Sequence, residues 1–231
     1  LHRDLEGHEL ISFQFVPDQE RSAVATALAT CFPEGVLQLN SQRALRALGP
    51  AYSTMPRGLV VFGSLTQGGV LQGRLRTMLW GWLRRWGITT GTPRVLATVN
   101  YLTSLRTERP YRGGGRCAIP VMGFCTQDAD GVLLEQTRND GQLVWLAGEW
   151  GRQSEHGRTF RIFGAMCERV DDAPRRPLIL EKHNIAAWCD PRTPRSDIAA
   201  LTRESNVTDY RLHPVMVVPL THAVLPAGSV G

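Results

Sequence analysis

From Arg94 to Leu220 the chain passes through six segments in which β-branched, aromatic and aliphatic residues alternate with polar ones: Arg94–Leu105, Cys117–Thr126, Gly131–Gln136, Gln142–Ala147, Thr159–Arg169 and Arg211–Leu220. Alternation with period two puts every second side chain on one face of an extended strand, so a series of this kind demands a sheet with at least one buried face. Between Gly131–Gln136 and Gln142–Ala147, the tripeptide Asn139-Asp140-Gly141 predicts a hairpin turn, because Asp-Gly accepts the positive φ angles of tight turns.

Helical patterns concentrate in the first half. Ile11, Phe13 and Phe15 alternate with Ser12 and Gln14 as in a half-buried strand; Asp18 then stands where a helix cap belongs, and Val24, Leu28 and Phe32 recur at intervals of four until Pro33 and Gly35. Gly35 to Leu39 reads as a second strand, and Ser41 to Leu48 as a helix ending at Gly49-Pro50. The apolar run Leu59 to Phe62, bracketed by Gly58 and Gly63, reads as a strand buried on both faces. After the turn Ser64 to Gly69, the sequence Leu71 to Trp86 is assigned to a helix, with a further helix at Ser196 to Arg203. The expected fold class is α+β: an antiparallel-sheet-rich core with two to four helices, within one domain over 1–231, with a lobe boundary at 107–116. A start at Leu1 rather than Met leaves room for a preceding N-terminal arm.

Charge is unevenly distributed. Between Ala51 and Arg116 ten arginines face one acid, Glu108, a local balance of +9 in a chain whose net charge is +5. A field concentrated in this way attracts polyanions, because each neutralised phosphate releases condensed counterions. Lys182 is the only lysine beside 25 arginines. Arg-favouring codons explain such a bias, and so does the suitability of the guanidinium fork for bidentate phosphate contacts.

On the expected helix, Leu75, Leu79, Trp82 and Trp86 fall in one apolar sector flanked by Met78 and Leu83. The opposite side carries Arg76, Trp80 and Arg84, with Arg74 and Arg85 near them. That stripe would hold phosphates on guanidinium groups and stack an unpaired base on the indole. A second basic feature is Arg112-Gly113-Gly114-Gly115-Arg116, whose glycine N–H groups are able to form an anion-binding concavity between two arginines. The opening strand-helix-strand and this basic glycine loop together resemble the RRM-like proteins of CRISPR complexes, which implies a ferredoxin-like N-terminal lobe and an RNA partner.

No catalytic or cofactor motif accompanies these features. The Gly-Lys-Ser/Thr phosphate loop and GxGxxG are absent, Ser64 lacks a GxSxG elbow, and no CxxC pair suggests zinc, so no cofactor or metal is expected. The five cysteines are odd in number and irregularly spaced, as expected for reduced thiols. No stretch reaches the ~18 apolar residues of a spanning helix, so no membrane partner is expected. Three functions follow as expectations. The first is a non-catalytic subunit of a nucleoprotein assembly, a viral shell or guide-RNA-type complex, located in the cytoplasm or within a particle. It would bind nucleic acid, RNA rather than DNA, beside other protein subunits. The second is a small RNA- or phosphate-ester-processing enzyme that uses His183 with Cys189. The third is a protein-binding adaptor anchored by Trp80.

Overall fold

The computed structural model describes residues 12–39, 57–80, 82–83, 95–96, 98–100, 114–127, 132–155, 158–168, 176–203 and 210–214. Its strands, in chain order, are β1 (Ser12–Phe15), β2 (Val36–Gln38), β3 (Arg57–Leu65), β4 (Leu71–Trp80), β5 (Trp82–Leu83), β6 (Val95–Leu96), β7 (Thr98–Asn100), β8 (Gly115–Gln127), β9 (Leu133–Arg138), β10 (Val144–Glu155), β11 (Arg158–Glu168), β12 (Arg176–Pro177) and β13 (Tyr210–Pro214). Three α-helices accompany them among the described residues: α1 (Arg21–Leu28), α2 (Ile185–Cys189) and α3 (Arg195–Arg203). The fold is mixed α+β, built on a sheet of many strands. The expected helix at 41–48 lies outside the described residues.

The sheet closes on itself. Following hydrogen-bonded neighbours gives β10-β11-β4-β3-β8, and β8 pairs back onto β10, so these strands form a barrel. Ala118 on β8 meets Val61 of β3 on one edge and Ala147 of β10 on the other. All contacts in the ring are antiparallel except β11–β4, where Ile162 and Phe163 run parallel to Leu79 and Trp80. Alternation then sorts the side chains into two layers. Val60 and Phe62, Met78 and Trp80, Cys117, Ile119 and Val121, Val144 and Leu146, and Phe163 and Ala165 form one cluster drawn from all five strands, the barrel interior.

The outward-facing partners Leu59, Val61, Leu75, Ala118, Trp145, Ala147 and Met166 pack beneath the helices, against Val24 and Leu28 of α1, Trp188 of α2 and Ile198 of α3. Helix α2 is short but docked by several independent contacts. The fully buried Trp188 donates its indole N–H to the Cys117 carbonyl at 2.9 Å. The Cys189 thiol reaches the Val61 carbonyl at 3.6 Å. Arg116, on the outer face of β8, donates from Nε to the Trp188 carbonyl and from Nη2 to the carbonyls of Asp190 and Thr193. It thereby satisfies orphan acceptors at the end of the helix.

Several expectations are corrected here. Residues 71–80 form strand β4, not the first part of a helix over Leu71–Trp86. The turn at Thr66–Val70 is a hairpin: Thr66 N–H bonds Val70 O, Gly69 takes φ +75°, and β4 returns along β3 in register from Leu65↔Leu71 to Arg57↔Leu79. The Asp140-Gly141 turn has the expected positive φ at Gly141, 69°, but it is not a hairpin. Strands β9 and β10 both pair antiparallel with β8, one after the other, so residues 139–143 are an excursion between two collinear strands. Asp18 does not cap α1; its carboxylate accepts from Arg21 and from the Thr77 hydroxyl, tying the helix start to β4. Strands β1 and β2 attach to β8 and β4 respectively. Strand β8 begins at the expected lobe boundary and pairs with β1 and β3 from before it and β9 and β10 from after it, so one sheet spans that point.

Trp80 is buried inside the barrel, 5.0 Å from the Phe15 ring and 5.2 Å from Phe163. It is therefore a core residue and not the solvent-facing platform of a helix. Trp80→Ala is expected to lower the unfolding free energy by about 3–5 kcal/mol in urea titrations. Gly114 is required for a different reason: a Cβ there would overlap the Trp150 carbonyl oxygen on β10, a rigid backbone atom. Gly114→Ala is expected to destabilise the fold by about 1–3 kcal/mol, read from the same titration, with Gly141→Asn as a milder control.

Candidate functional site: an arginine-lined barrel mouth

One end of the barrel is polar. On the inward face of β4, the residues preceding Met78 and Trp80 are Arg74 and Arg76. On β10 the inward layer continues from Leu146 through Trp150 to Arg152, and on β11 it begins with Arg161 before Phe163. Strand register places these ends together: Arg74 lies opposite Phe62, Arg76 opposite Val60, Trp150 opposite Phe163 and Arg152 opposite Arg161. Ser64, opposite Gln72, completes this end on β3.

The ring is split on one side of this mouth. Strand β11 meets β4 only at Ile162–Phe163, while the β4 edge nearer the mouth, Gly73–Leu75, is taken by β2 in parallel. Arg76 and Arg161 therefore stand on two strands that are hydrogen-bonded deeper in the barrel and part towards the mouth. Phe62 and Trp150 touch on the inner face of the wall, with ring centroids 4.6 Å apart. The Arg161 guanidinium lies over the Trp150 ring at 6.0 Å, close enough for a cation–π contact to orient it. Gly115 is the β8 residue opposite Trp150.

The guanidiniums at this end act on one another electrostatically. The Arg161 guanidinium is pushed below its ordinary pKa by burial first, then by the charges of Arg76 and Arg152. Arg76 is shifted in the same direction by burial, Arg152 and Arg21. Arg21 itself holds the carbonyls of Leu39 and Leu75 and pairs with Asp18. Directly opposed like charges on neighbouring strands destabilise a sheet. Three buried polar atoms at this end, Ser64 Oγ, Arg74 Nε and Arg161 Nε, have no hydrogen-bond partner. Each such atom costs about 1–3 kcal/mol of stability. A site that gathers positive charge at this expense is chemically suited to an anion.

The expected binding residues divide on this geometry. Arg74 and Arg76 lie at the mouth. Trp80 lies within the core, and Arg116 is held by α2 and faces Glu149 across the β8–β10 ladder. Arg84, Arg85 and Arg112 lie outside the described residues. Arg57 sits at the opposite end of β3 from the mouth, so the basic segment does not form one surface among the described residues. Trp150, Arg152 and Arg161 were not anticipated. Their signal was present as the two-residue step from Leu146 to Arg152 and from Phe163 back to Arg161. Of the expected His183 and Cys189, Cys189 is buried, with its thiol pushed up to about 12 by burial, and His183 is exposed. No group of three His, Cys, Asp or Glu side chains suited to a metal ion occurs among the described residues. Among them, too, no helix is long and apolar enough to cross a membrane.

No known protein family matches the chain, and no curated protein matches it. Among solved structures, it is similar to a protein from Bordetella bronchiseptica, at 16% identity and a TM-score of 0.58, over 89% of this chain and 99% of the other. A protein from Bacteroides thetaiotaomicron matches at 16% identity and a TM-score of 0.47, over 72% and 76% of the two chains. A phage-related protein from Bordetella bronchiseptica matches at 18% identity and 0.48, over 71% and 78%. The first of these shares the fold.

Proposed function

We propose that the protein is a non-catalytic nucleic-acid-binding component of a nucleoprotein assembly, a viral shell or guide-RNA-type complex in the cytoplasm or within a particle, with other protein subunits as neighbours. The observation that carries this reading is the placement of Arg74, Arg76, Arg161 and the exposed Arg152 towards one end of the barrel, with Arg152 and Arg161 as direct cross-strand partners. Phosphate is the anion that a nucleic acid presents, and the guanidinium fork matches its oxygens. RNA, which is met most often as a flexible single strand whose phosphates approach such a cluster freely, is the preferred polymer.

The salt dependence of binding tests this reading. Single-stranded RNA is expected to bind with an affinity that falls steeply as salt rises, and Arg76→Ala and Arg161→Ala each to lower the slope of log K against log salt by about one unit. Trp188→Phe, which alters the outer layer of the barrel and removes no arginine, should leave the slope unchanged. Absence of binding at low salt would remove the proposal. The same charge clustering gives a stability signature: Arg161→Met is expected to raise the unfolding midpoint in low salt, because it removes like-charge repulsion and an unsatisfied Nε while keeping much of the side-chain volume. Added RNA should stabilise the native protein by mass action and stabilise Arg161→Met less.

A further inference from the structure

We infer that the barrel wall opens sideways along the joint between β4 and β11, as a local motion short of unfolding, with the contact between Trp80 and Phe163 as its bolt. The inference is independent of the nucleic-acid role proposed above.

The joints of the ring are unequal. Strands β3 and β4 stay in register from Leu65↔Leu71 to Arg57↔Leu79, β10 and β11 from Gly148↔Ala165 to Glu155↔Arg158, and β8 and β10 from Val121↔Val144 to Gly115↔Trp150. Strand β4 meets β11 at Leu79↔Ile162 and Trp80↔Phe163 alone, and in parallel, the pairing that contributes slightly less per residue. Neighbouring strands stop this ladder from growing in either direction among the described residues. On one side β2 occupies β4 at Gly73–Leu75, and on the other β7 occupies β11 at Ala165–Cys167. The joint between β3 and β8 is as short, at Val61↔Ala118 and Phe62↔Cys117, but α2 braces both of its strands: the Cys189 thiol reaches the Val61 carbonyl, and the Trp188 indole donates to the Cys117 carbonyl. The corresponding polar clamp near β4 is Arg21 of α1. It donates to the carbonyls of Leu39 and Leu75 and to the Thr77 hydroxyl, and these bonds all lie on the β2–β4 side of the joint. Helix α1 is therefore fastened to β4 and moves with it.

Across the joint itself the work falls to aromatic rings. The Trp80 and Phe163 centroids lie 5.2 Å apart at 67°, and Phe15 packs on both, at 5.0 Å from Trp80 and 5.6 Å from Phe163. Gly58 of β3 lies tight behind them, since a Cβ there would come within 2.9 Å of Phe15 and of Phe163. A wall held by two residue pairs and one ring contact opens at lower free energy than walls held by long ladders, as local openings in proteins follow the least protected elements. Opening it lengthens the split at the mouth down to Trp80 and gives a side route to the inner face of β4.

Hydrogen exchange read residue by residue by NMR tests this, because β4 carries its own control. Gly73 N–H donates to Gly35 and the Leu75 carbonyl accepts from Leu39, so odd-numbered residues present their backbone groups to the β2 and β11 edge, Leu79 among them. Even-numbered residues, Met78 among them, face β3. Exchange through global unfolding accelerates steeply with urea, whereas exchange through local opening responds little. The Leu79 amide is expected to exchange about tenfold or more faster than that of Met78 in the absence of urea, with a flat urea dependence. Phe163→Leu, which removes one ring of the bolt, and Gly58→Ala, which keeps all three rings but crowds them, are expected to speed Leu79 further while Met78 follows global stability. Arg21→Met is expected to speed the Leu39 amide and leave Leu79 unchanged. If Leu79 and Met78 share one rate and one urea dependence, the joint opens only with the whole barrel and the inference is overturned. A local opening at Leu79 that neither Phe163→Leu nor Gly58→Ala accelerates overturns the assignment of the bolt.

Discussion

Strand β8 is hydrogen-bonded on both edges at the same residues, and the architecture depends on that closure. Ala118 touches β3 and β10 at once, so neither strand is left with a free edge at this level. Closing the ring divides the side chains of every strand into an inside and an outside, and both must then be filled. Inside, Trp80, Phe163, Phe62 and Phe124 occupy the volume with aliphatic neighbours. Outside, the layer Val61, Leu75 and Trp145 requires cover, and α1, α2 and α3 supply it. The short α2 keeps its place through bonds to the barrel backbone at Cys117 and Val61 and through Arg116 beneath its end.

Much of this architecture was legible from alternation, and its failures are instructive. Period two located β8, β9, β10 and β11, and the apolar run within the Gly58–Gly63 bracket, too short for a helix, located β3. Residues 71–80 were misread because Leu71, Leu75 and Leu79 are four apart, a spacing that satisfies both one face of a helix and one face of a strand. The deciding information is non-local. A hairpin at Thr66–Val70 obliges the next residues to return along β3, and the aligned partners Val60 and Phe62 leave no choice of element. The Asp140-Gly141 turn failed in the same way: its local φ was readable, but which strands it joined as neighbours depended on β8 being long enough to pair with both.

Site residues were harder to read than strands. Charge segregation drew attention to residues 51–116, yet among the described residues its arginines part company: Arg74 and Arg76 go to the mouth, Arg57 to the other end of β3 and Arg116 beneath α2. The cluster is completed by Arg152 and Arg161, from a stretch of the chain with no excess of positive charge worth remarking. Sequence proximity reports a local average of charge, whereas barrel closure gathers residues by layer and by end. Only the latter determines which guanidiniums feel one another.

Strand β10 supplies an internal control on whether the cluster is a by-product of an arginine-rich composition. Consecutive positions there point to opposite sides of the wall. On the outside, Glu149 faces Arg116 across the ladder, a cross-strand pair of opposite sign. On the inside, three residues further along the same strand, Arg152 faces Arg161, a pair of the same sign. Opposite-sign pairs stabilise neighbouring strands and like-sign pairs destabilise them. Codon bias raises the number of arginines everywhere, but it does not explain why charge is complemented on the outer face and stacked on the inner one. A polar mouth formed by chance would also be expected to satisfy its buried atoms. Here Ser64 Oγ, Arg74 Nε and Arg161 Nε are left without partners in the layer that carries the excess charge. Departures from local consistency of this kind concentrate where function opposes stability. An anion at the mouth removes the like-charge repulsion among its guanidiniums.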